Sequence, residues 1–327
     1  MIAKSQPFSG LGPDVVLDAA ASVGFEGGGR LFALNSYENR VYRLGAGGDA
    51  LVLKFYRPER WTDAQIGEEH EFALELAAAE LPVAAPLVIA GSTLFRFREY
   101  RFAAFPCLPG RAPELDAPGA RVLLGRALAR IHAIGATRTF RFRPRIGIER
   151  LGLQAREQVL TSELLPPALA TSYAAAADAL LERVRRAFVN AGPVHDLRIH
   201  GDCHPGNLLW NPQGPVFVDL DDCGSGPRIQ DLWMLLSGDG AEQQRQWNEL
   251  LEGYSQFGEI DMRELTLVEP LRALRMLHHA AWVVQRWEDP AFPRAFPWFG
   301  EPRFWERHVG DLLEQVGAID DPPLLQR

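Results

Sequence analysis

Ile199-His200-Gly201-Asp202-Cys203-His204-Pro205-Gly206-Asn207 and the later Val218-Asp219-Leu220-Asp221-Asp222 are the two runs whose reading decides the fold. The first places an Asp and an Asn five positions apart in a Gly- and Pro-containing loop, just after the apolar Leu197 and Ile199. The second ends an apolar strand, Pro215-Val216-Phe217-Val218, in a burst of carboxylates. Asp202 can accept a proton, Asn207 offers a neutral oxygen to a hard cation, and Asp219 offers a charged one. That set of groups suits the movement of a phosphoryl group from Mg-ATP to a hydroxyl, with Asp202 and Asp219 as catalytic residues and Asn207 and Asp219 as Mg²⁺ ligands. Asp221 and Asp222 either assist the metal or serve as hydrogen-bonded structural groups. The same loop carries His200, Cys203 and His204, but no second Cys/His pair at ligand spacing supports a zinc site. Cys203 lacks an orienting third group that would make it a nucleophile.

Phosphoryl transfer also needs positive charge on the nucleotide, and the N-terminal third supplies it. Three strands are expected at Leu31–Leu34, Val41–Leu44 and Leu51–Tyr56, joined by the polar turn Asn35-Ser36-Tyr37-Glu38-Asn39 and by Gly45-Ala46-Gly47-Gly48-Asp49. In the third strand Leu51, Leu53 and Phe55 share one face, and Val52, Lys54 and Tyr56 share the other. Lys54 is then a lysine on a strand buried on both sides, or one snorkelling from an edge. A helix from about Thr62 to Ala79 follows, opened by a Thr62/Gln65 capping box. Its apolar stripe is Ile66, Phe72, Ala73 and Leu76. Glu69 falls within that stripe and Glu68 beside it, so helical spacing favours Glu69 over Glu68 as the partner of Lys54. Lys54 and Glu69, with the Ser36 hydroxyl and the amides of its turn, make the expected ATP-binding set.

The rest of the chain reads as a frame for these groups. A short helix over residues 12–24 is closed by Gly24 and Gly27-Gly28-Gly29. Strands are expected at Leu87–Ala90 and Tyr100–Phe105, and Pro106-Cys107-Leu108-Pro109-Gly110 breaks the sheet. Beyond it lie helices at Arg121–Gly135, Ala168–Ala191, Gln230–Leu236, Ala241–Phe257, Met262–Val268 and Pro270–Trp287. An aromatic run from Phe292 to Trp305 precedes a last helix near Arg307–Val316, and the tail from Asp320 is expected to fray. The domain expectation is a nucleotide-binding lobe over residues 1–107 and a catalytic and substrate-binding lobe over 108–327.

The formal charge of −8 and isoelectric point near 5.6 argue against a nucleic-acid partner. Three cysteines without a CxxC pair fit reduced thiols in a cytoplasmic protein. The first residues lack the apolar run of a signal peptide, and no stretch reaches the length of a membrane span. A soluble monomer is the expectation.

His200-Gly201-Asp202 with Asn207, then Val218-Asp219, resembles the catalytic core of the aminoglycoside phosphotransferase/choline kinase group of kinase-like enzymes. The segments Leu124–His132 and Gln230-Asp231-Leu232-Trp233 are similar to that group as well. Asn35–Tyr42, Val52–Trp61 and His200–His204 look like its bacterial stress-response kinases, and Asp289–Pro293 and Phe296-Pro297-Trp298 extend that match over nearly the whole chain. The resemblance implies an α+β, bilobal protein-kinase-like fold, with a small antiparallel sheet and one main helix before a larger helical lobe. It implies ATP and Mg²⁺ as cofactors and a protein Ser/Thr hydroxyl as acceptor, the chain itself included, in the protection of bacteria against envelope and oxidative stress. It also implies that Asp231 buttresses the catalytic loop without joining the chemistry.

Three features of eukaryotic protein kinases are missing: G-x-G-x-x-G in the first hairpin, D-F-G and A-P-E. Only eleven residues separate Asp219 from Asp231, too few for a long activation loop. That keeps a second reading open: a small-molecule kinase acting on a cationic alcohol, caged by Trp282, Trp287, Trp298 and Trp305. A packed helical core is the favoured reading of those four indoles. A third reading, a nucleotide-binding pseudoenzyme, is opposed by the intact Lys54, Asp202, Asn207 and Asp219.

Overall fold

Period-two alternation between Leu31 and Phe55, interrupted by two glycine- and asparagine-bearing turns, favours strands that fold back on one another. In the computed structural model, which describes residues 7–25 and 30–323, β1 (Leu31–Leu34), β2 (Arg40–Leu44) and β3 (Leu51–Phe55) form that antiparallel meander. β4 (Phe95–Phe97) and β5 (Tyr100–Pro106) complete a five-stranded antiparallel sheet in the order β1-β2-β3-β5-β4. Leu53 and Phe55 point to α1 (Pro13–Ser22), where Val16, Ala19 and Ala20 are buried with them and Phe102 stacks on Phe55 at 5.3 Å. Tyr56 packs instead with Ile66 of α2 (Asp63–Ala78). The helix opens as its sequence specifies: Gln65 N donates to Thr62 Oγ1 at 3.3 Å, and Thr62 N donates to Gln65 Oε1 at 2.9 Å.

One local expectation changes here. Residues 87–90 make no strand. Pro86 has no N–H to give a ladder, and Ala90 and Gly91 turn the chain through positive φ values of 48° and 81°. Leu87 N still donates to Ala104 O at 2.7 Å, but the edge of the sheet is β4, which begins five residues after Ala90. The closing glycines Gly27-Gly28-Gly29 lie outside the described residues.

Two compact units organise the chain. The first takes in the described residues of Met1–Pro113, with Arg141–Arg143 and Gly206–Asp221. Its last segment is a hairpin of β7 (Leu208–Asn211) and β8 (Gly214–Phe217). Phe217 N donates to Pro82 O at 2.7 Å and Ala84 N to Phe217 O at 2.9 Å, which ties the hairpin to the chain leaving α2.

The second unit comprises Glu114–Phe140, Pro144–Pro205 and the described residues of Asp222–Arg327. It holds the small ladder of β6 (Leu197–Ile199) with β9 (Gly224–Gly226) and is otherwise helical. Here α3 (Ala120–Gly135) meets α7 (Gly240–Tyr254) almost backbone to backbone: a Cβ on Gly125 would lie 2.1 Å from Leu250 O, and one on Gly253 2.0 Å from Val122 O. The main core is built by α4 (Ala155–Leu160), α5 (Ala170–Ala191), α8 (Val268–Gln285) and α10 (Pro302–Asp320), through Leu180, Leu181, Leu274, Leu277 and Leu312. The short α6 (Ile229–Trp233) and α9 (Ala291–Ala295) connect them. Helix α10 is longer than its apolar spacing predicts. Pro302 opens it, and Arg183 Nε holds Asp320 at its far end at 2.8 Å, so the chain is still helical at the residue where fraying is expected.

Candidate active site

In the first unit β2–β3 pairing sets Lys54 opposite Val41 and alongside Ala103 of β5, in the middle of the sheet. Its ammonium lies 3.1 Å from Glu69 Oε1, 3.0 Å from Asp219 Oδ1 and 3.0 Å from Asp221 Oδ1. The residue is only 6% exposed, so it is no snorkelling edge residue. Burial disfavours the charge on Lys54, but Asp219, Asp221 and Glu69 outweigh it and hold the ammonium well above the usual lysine range. The cation stays charged, and the carboxylates are compensated by it. Glu69 is the partner that helical spacing favours. Glu68 turns elsewhere and accepts the backbone N–H groups of Arg141, Phe142 and Arg143 at 2.6, 2.8 and 2.8 Å. It thereby fixes residues 141–143 to α2.

Asp219 and Asp221 differ in environment. Asp219 adopts φ 57°, a left-handed backbone that Asp tolerates better than most residues, and its side chain is 48% exposed. Asp221 is 2% exposed. It accepts from Asn39 Nδ2 at 3.2 Å and from the Arg60 guanidinium, and its carbonyl accepts from Arg143. Asp221 is therefore a buried anchor, and Asp219 presents its carboxylate to solvent. Val218 N donates to Asn207 O at 3.0 Å, so the backbone just before Asp219 is pinned to Asn207. Two oxygen-bearing side chains of this kind, one of them an exposed carboxylate, match the preference of a hard divalent cation. Ser36 lies half-buried in the link between β1 and β2.

In the second unit β6 delivers the His200–Pro205 loop, and the loop is clamped from below. Gly201 adopts φ 83°, and a Cβ there would fall 2.3 Å from Asp222 O, so only glycine fits. Asp231, fully buried on α6, accepts the backbone N–H groups of both His200 and Gly201 at 2.8 Å. His132 Nε2 lies 3.2 Å from the same carboxylate, and His132 Nδ1 2.9 Å from Tyr254 Oη. Gln230 Nε2 donates to Gly201 O at 3.0 Å. Asp231 acts as a buttress in this arrangement.

Asp202, at the tip of that loop, is partly exposed. Arg275 Nη1 of α8 lies 2.5 Å from Asp202 Oδ1, and His204 Nε2 3.4 Å from Oδ2. Burial works against the Asp202 carboxylate, but the His204 hydrogen bond and the Arg275 guanidinium together hold its carboxyl well below the usual carboxylate range. It is ionised at neutral pH, as a proton acceptor must be. Cys203 points into the interior and burial pushes its thiol well above the usual range, which suits packing and not nucleophilic attack.

The structure adds residues that spacing does not reveal. Arg275 is 73 positions from Asp202 on a helix of ordinary pattern, and nothing in the sequence marks it. Arg143 sits in a segment without periodicity; its guanidinium stacks 4.2 Å over the Trp61 ring and reaches 3.9 Å from Glu69 Oε2. Asn39 and Arg60 fall within the stretches that carry the family resemblance, which is the one signal available for them. The four tryptophans are packed among other aromatic rings, and the single ring of Phe299 meets Trp287, Trp298 and Trp305. Trp305 is wholly buried, Trp282 meets Phe292 at 4.9 Å, Trp287 meets Phe299 at 5.7 Å and Trp298 meets Phe304 at 5.0 Å.

Residues 31–267 match the model of the phosphotransferase enzyme family. The chain is 44% identical over 318 residues to the stress response kinase A of Salmonella choleraesuis, covering 97% of this chain and 96% of that one. It is equally similar, at 44% over the same shares, to the serine/threonine protein kinase RdoA of Salmonella typhimurium. Among solved structures, the amicoumacin kinase hAmiN in complex with AMP-PNP, Ca²⁺ and Ami superposes with a TM-score of 0.72 at 20% identity, over 96% of this chain and 95% of the other. With a kinase fold, a family match across most of its length and near-complete alignment to stress response kinases, the chain belongs to the phosphotransferase enzyme family and is an enzyme of the kinase class.

Proposed function

We propose that this chain is an ATP- and Mg²⁺-dependent serine/threonine protein kinase of the bacterial stress response. The observation that carries the nucleotide half is the buried Lys54 ammonium, held within 3.1 Å of Glu69 and 3.0 Å of Asp219. A lysine fixed by a helix carboxylate is a preorganised cation for phosphate oxygens. The 44% identity to proteins named for stress response and for serine/threonine kinase activity favours the protein acceptor over the cationic alcohol. The packing of Trp282, Trp287 and Trp305 among other aromatic rings removes much of the support for a cation cage.

In this reading Lys54, oriented by Glu69, binds the non-transferred phosphates, and Ser36 and its turn cover them. Asn207 and Asp219 are the residues that would hold Mg²⁺, which would supply positive charge against the phosphates. Asp202 accepts the proton of the Ser or Thr hydroxyl as that oxygen bonds to the γ-phosphorus. The bond from the γ-phosphorus to the bridging oxygen breaks, and ADP departs with its negative charge. Asp231 keeps the Asp202 loop in shape. Control by phosphorylation of an activation segment is absent from this scheme, because the span from Asp219 to Asp231 is too short to carry one. The reading includes a cytoplasmic, monomeric enzyme; among the described residues no helix is long and apolar enough to cross a membrane.

The test is incubation with γ-labelled ATP and Mg²⁺ in the presence of casein-like proteins and a panel of amino alcohols. Label on protein Ser or Thr supports the reading. Label confined to small alcohols moves the chain to the second reading.

A further inference from the structure

The carboxylate assigned as proton acceptor has a cation at hydrogen-bond distance. Arg275 Nη1 lies 2.5 Å from Asp202 Oδ1, and the Arg275 side chain remains 42% exposed while Asp202 is 24% exposed. The guanidinium is thus a fixed cation at the surface beside the base, with part of its donor fork turned to solvent. One turn further along α8, His279 continues the same face. Burial first, and then the nearby Arg275 charge, push its imidazole below the usual range, so it adds no positive charge there at neutral pH. Its ring packs on Trp282 at 5.7 Å and Phe296 at 6.1 Å. Two carboxylates, on α8 and on the segment that follows it, have partners of their own. Glu269 takes Arg272 at 3.2 Å and Gln315 at 2.7 Å, and Asp289 accepts Ala291 N at 3.0 Å. The surface along α8 beside Asp202 is therefore cationic at Arg275 and then neutral and aromatic.

We propose that Arg275 selects the charge of the acceptor: the hydroxyl that reaches Asp202 carries an anionic group beside it, and an ammonium there is repelled. This rests on Asp202 being the proton acceptor of the reading above, and it names the acceptor class that reading leaves open. A guanidinium can take a neighbouring carboxylate on its open N–H groups while one N–H stays on Asp202, whereas a like charge at the same place has no compensation. A difference of roughly tenfold or more between acidic and basic acceptors is expected from one such close charge.

The experiment measures kcat and KM for serine peptides flanked by two Asp, two Ala or two Arg residues, and for the alcohols glycolate, ethylene glycol and ethanolamine. The enzymes are the full chain, R275Q, R275K, R275E and D202N. The wild type should favour the Asp-flanked peptide over the Arg-flanked one, or glycolate over ethanolamine, by roughly tenfold or more through KM. R275Q should erase that ratio, R275K should keep most of it, and R275E should reverse it. A wild-type preference for the Arg-flanked peptide or for ethanolamine overturns the proposal. So does a fall in kcat shared by all acceptors in R275Q with the ratio unchanged, which would make Arg275 a holder of Asp202 alone. The D202N arm reads the underlying assignment separately: full transfer by D202N removes Asp202 as base, while the charge ratio in the Arg275 variants still stands or falls by itself.

Discussion

Lys54 Nζ and Glu69 Oε1 lie 3.1 Å apart, with both side chains no more than 7% exposed. The pair also faces Asp221 at 3.0 Å, so one ammonium compensates a group of buried carboxylates. Removing it leaves Asp221 to Arg60 and Glu69 to the more distant Arg143 at 3.9 Å, in a place where water cannot make up the difference. Lys54→Ala should therefore destabilise the protein by about 3–5 kcal/mol as well as abolish nucleotide use. Glu69→Gln keeps a hydrogen-bonding oxygen and should cost less than Lys54→Ala. Urea unfolding of both variants checks the order, and equal losses would contradict the compensation argument.

Asp219 also meets Lys54 at 3.0 Å, but its carboxylate is 48% exposed and its backbone is left-handed at φ 57°. Asn is among the residues that accept this conformation, so Asp219→Asn should leave the unfolding midpoint close to wild type while transfer falls by a factor of about 10² or more. Asp219→Ala adds about 1–2 kcal/mol of backbone cost. Midpoints from thermal unfolding, set against transfer rates in Mg²⁺, separate the two effects.

For Asp231 the expectation is reversed. Its carboxylate is fully buried and satisfies two backbone donors and His132. Asp231→Ala should leave the N–H groups of His200 and Gly201 without an acceptor and lower stability by about 3 kcal/mol or more. A stable Asp231→Ala protein that has lost only turnover would make Asp231 a member of the chemistry.

How much of this was legible beforehand follows from where each signal lies. Lys54, Glu69 and the capping box of α2 are set by short-range spacing, and the chain places them as that spacing predicts. The contrast between Asp219 and Asp221 is not, since two positions apart on one loop they differ by burial and by partners drawn from Asn39, Arg60 and Arg143. The same holds for Arg275, which reaches Asp202 only because α8 passes that loop. The return of residues 141–143 and 206–221 to the first unit is carried by backbone hydrogen bonds to Glu68 and Pro82, and a linear pattern contains no trace of them. The strand expected at residues 87–90 is apolar enough for a sheet, yet a proline and a left-handed turn move the edge to β4.

His70 on α2 gives a pH signature. It lies between Tyr56 Oη at 2.7 Å and Thr93 Oγ1 at 2.8 Å. Burial, reinforced by the Lys54 charge, takes its folded value from 6.5 down to about 3. Because the folded value is the lower one, the contribution is fully present above pH 6.5 and declines as acid protonates the unfolded chain, down to about pH 3. The slope from this one group approaches 1.4 kcal/mol per pH unit at about one proton. His70→Asn should flatten the stability profile between those limits, and an unchanged slope would contradict the burial of a neutral imidazole.

The most direct measurement of the central claim is transfer of label from γ-labelled ATP with Mg²⁺ to protein serine or threonine, compared for the wild-type chain, Asp202→Asn, Asp219→Asn and Lys54→Ala. The account predicts label with the wild type, and loss in both carboxylate variants while their unfolding stays close to wild type. Label of wild-type intensity from folded Asp202→Asn or Asp219→Asn would contradict it.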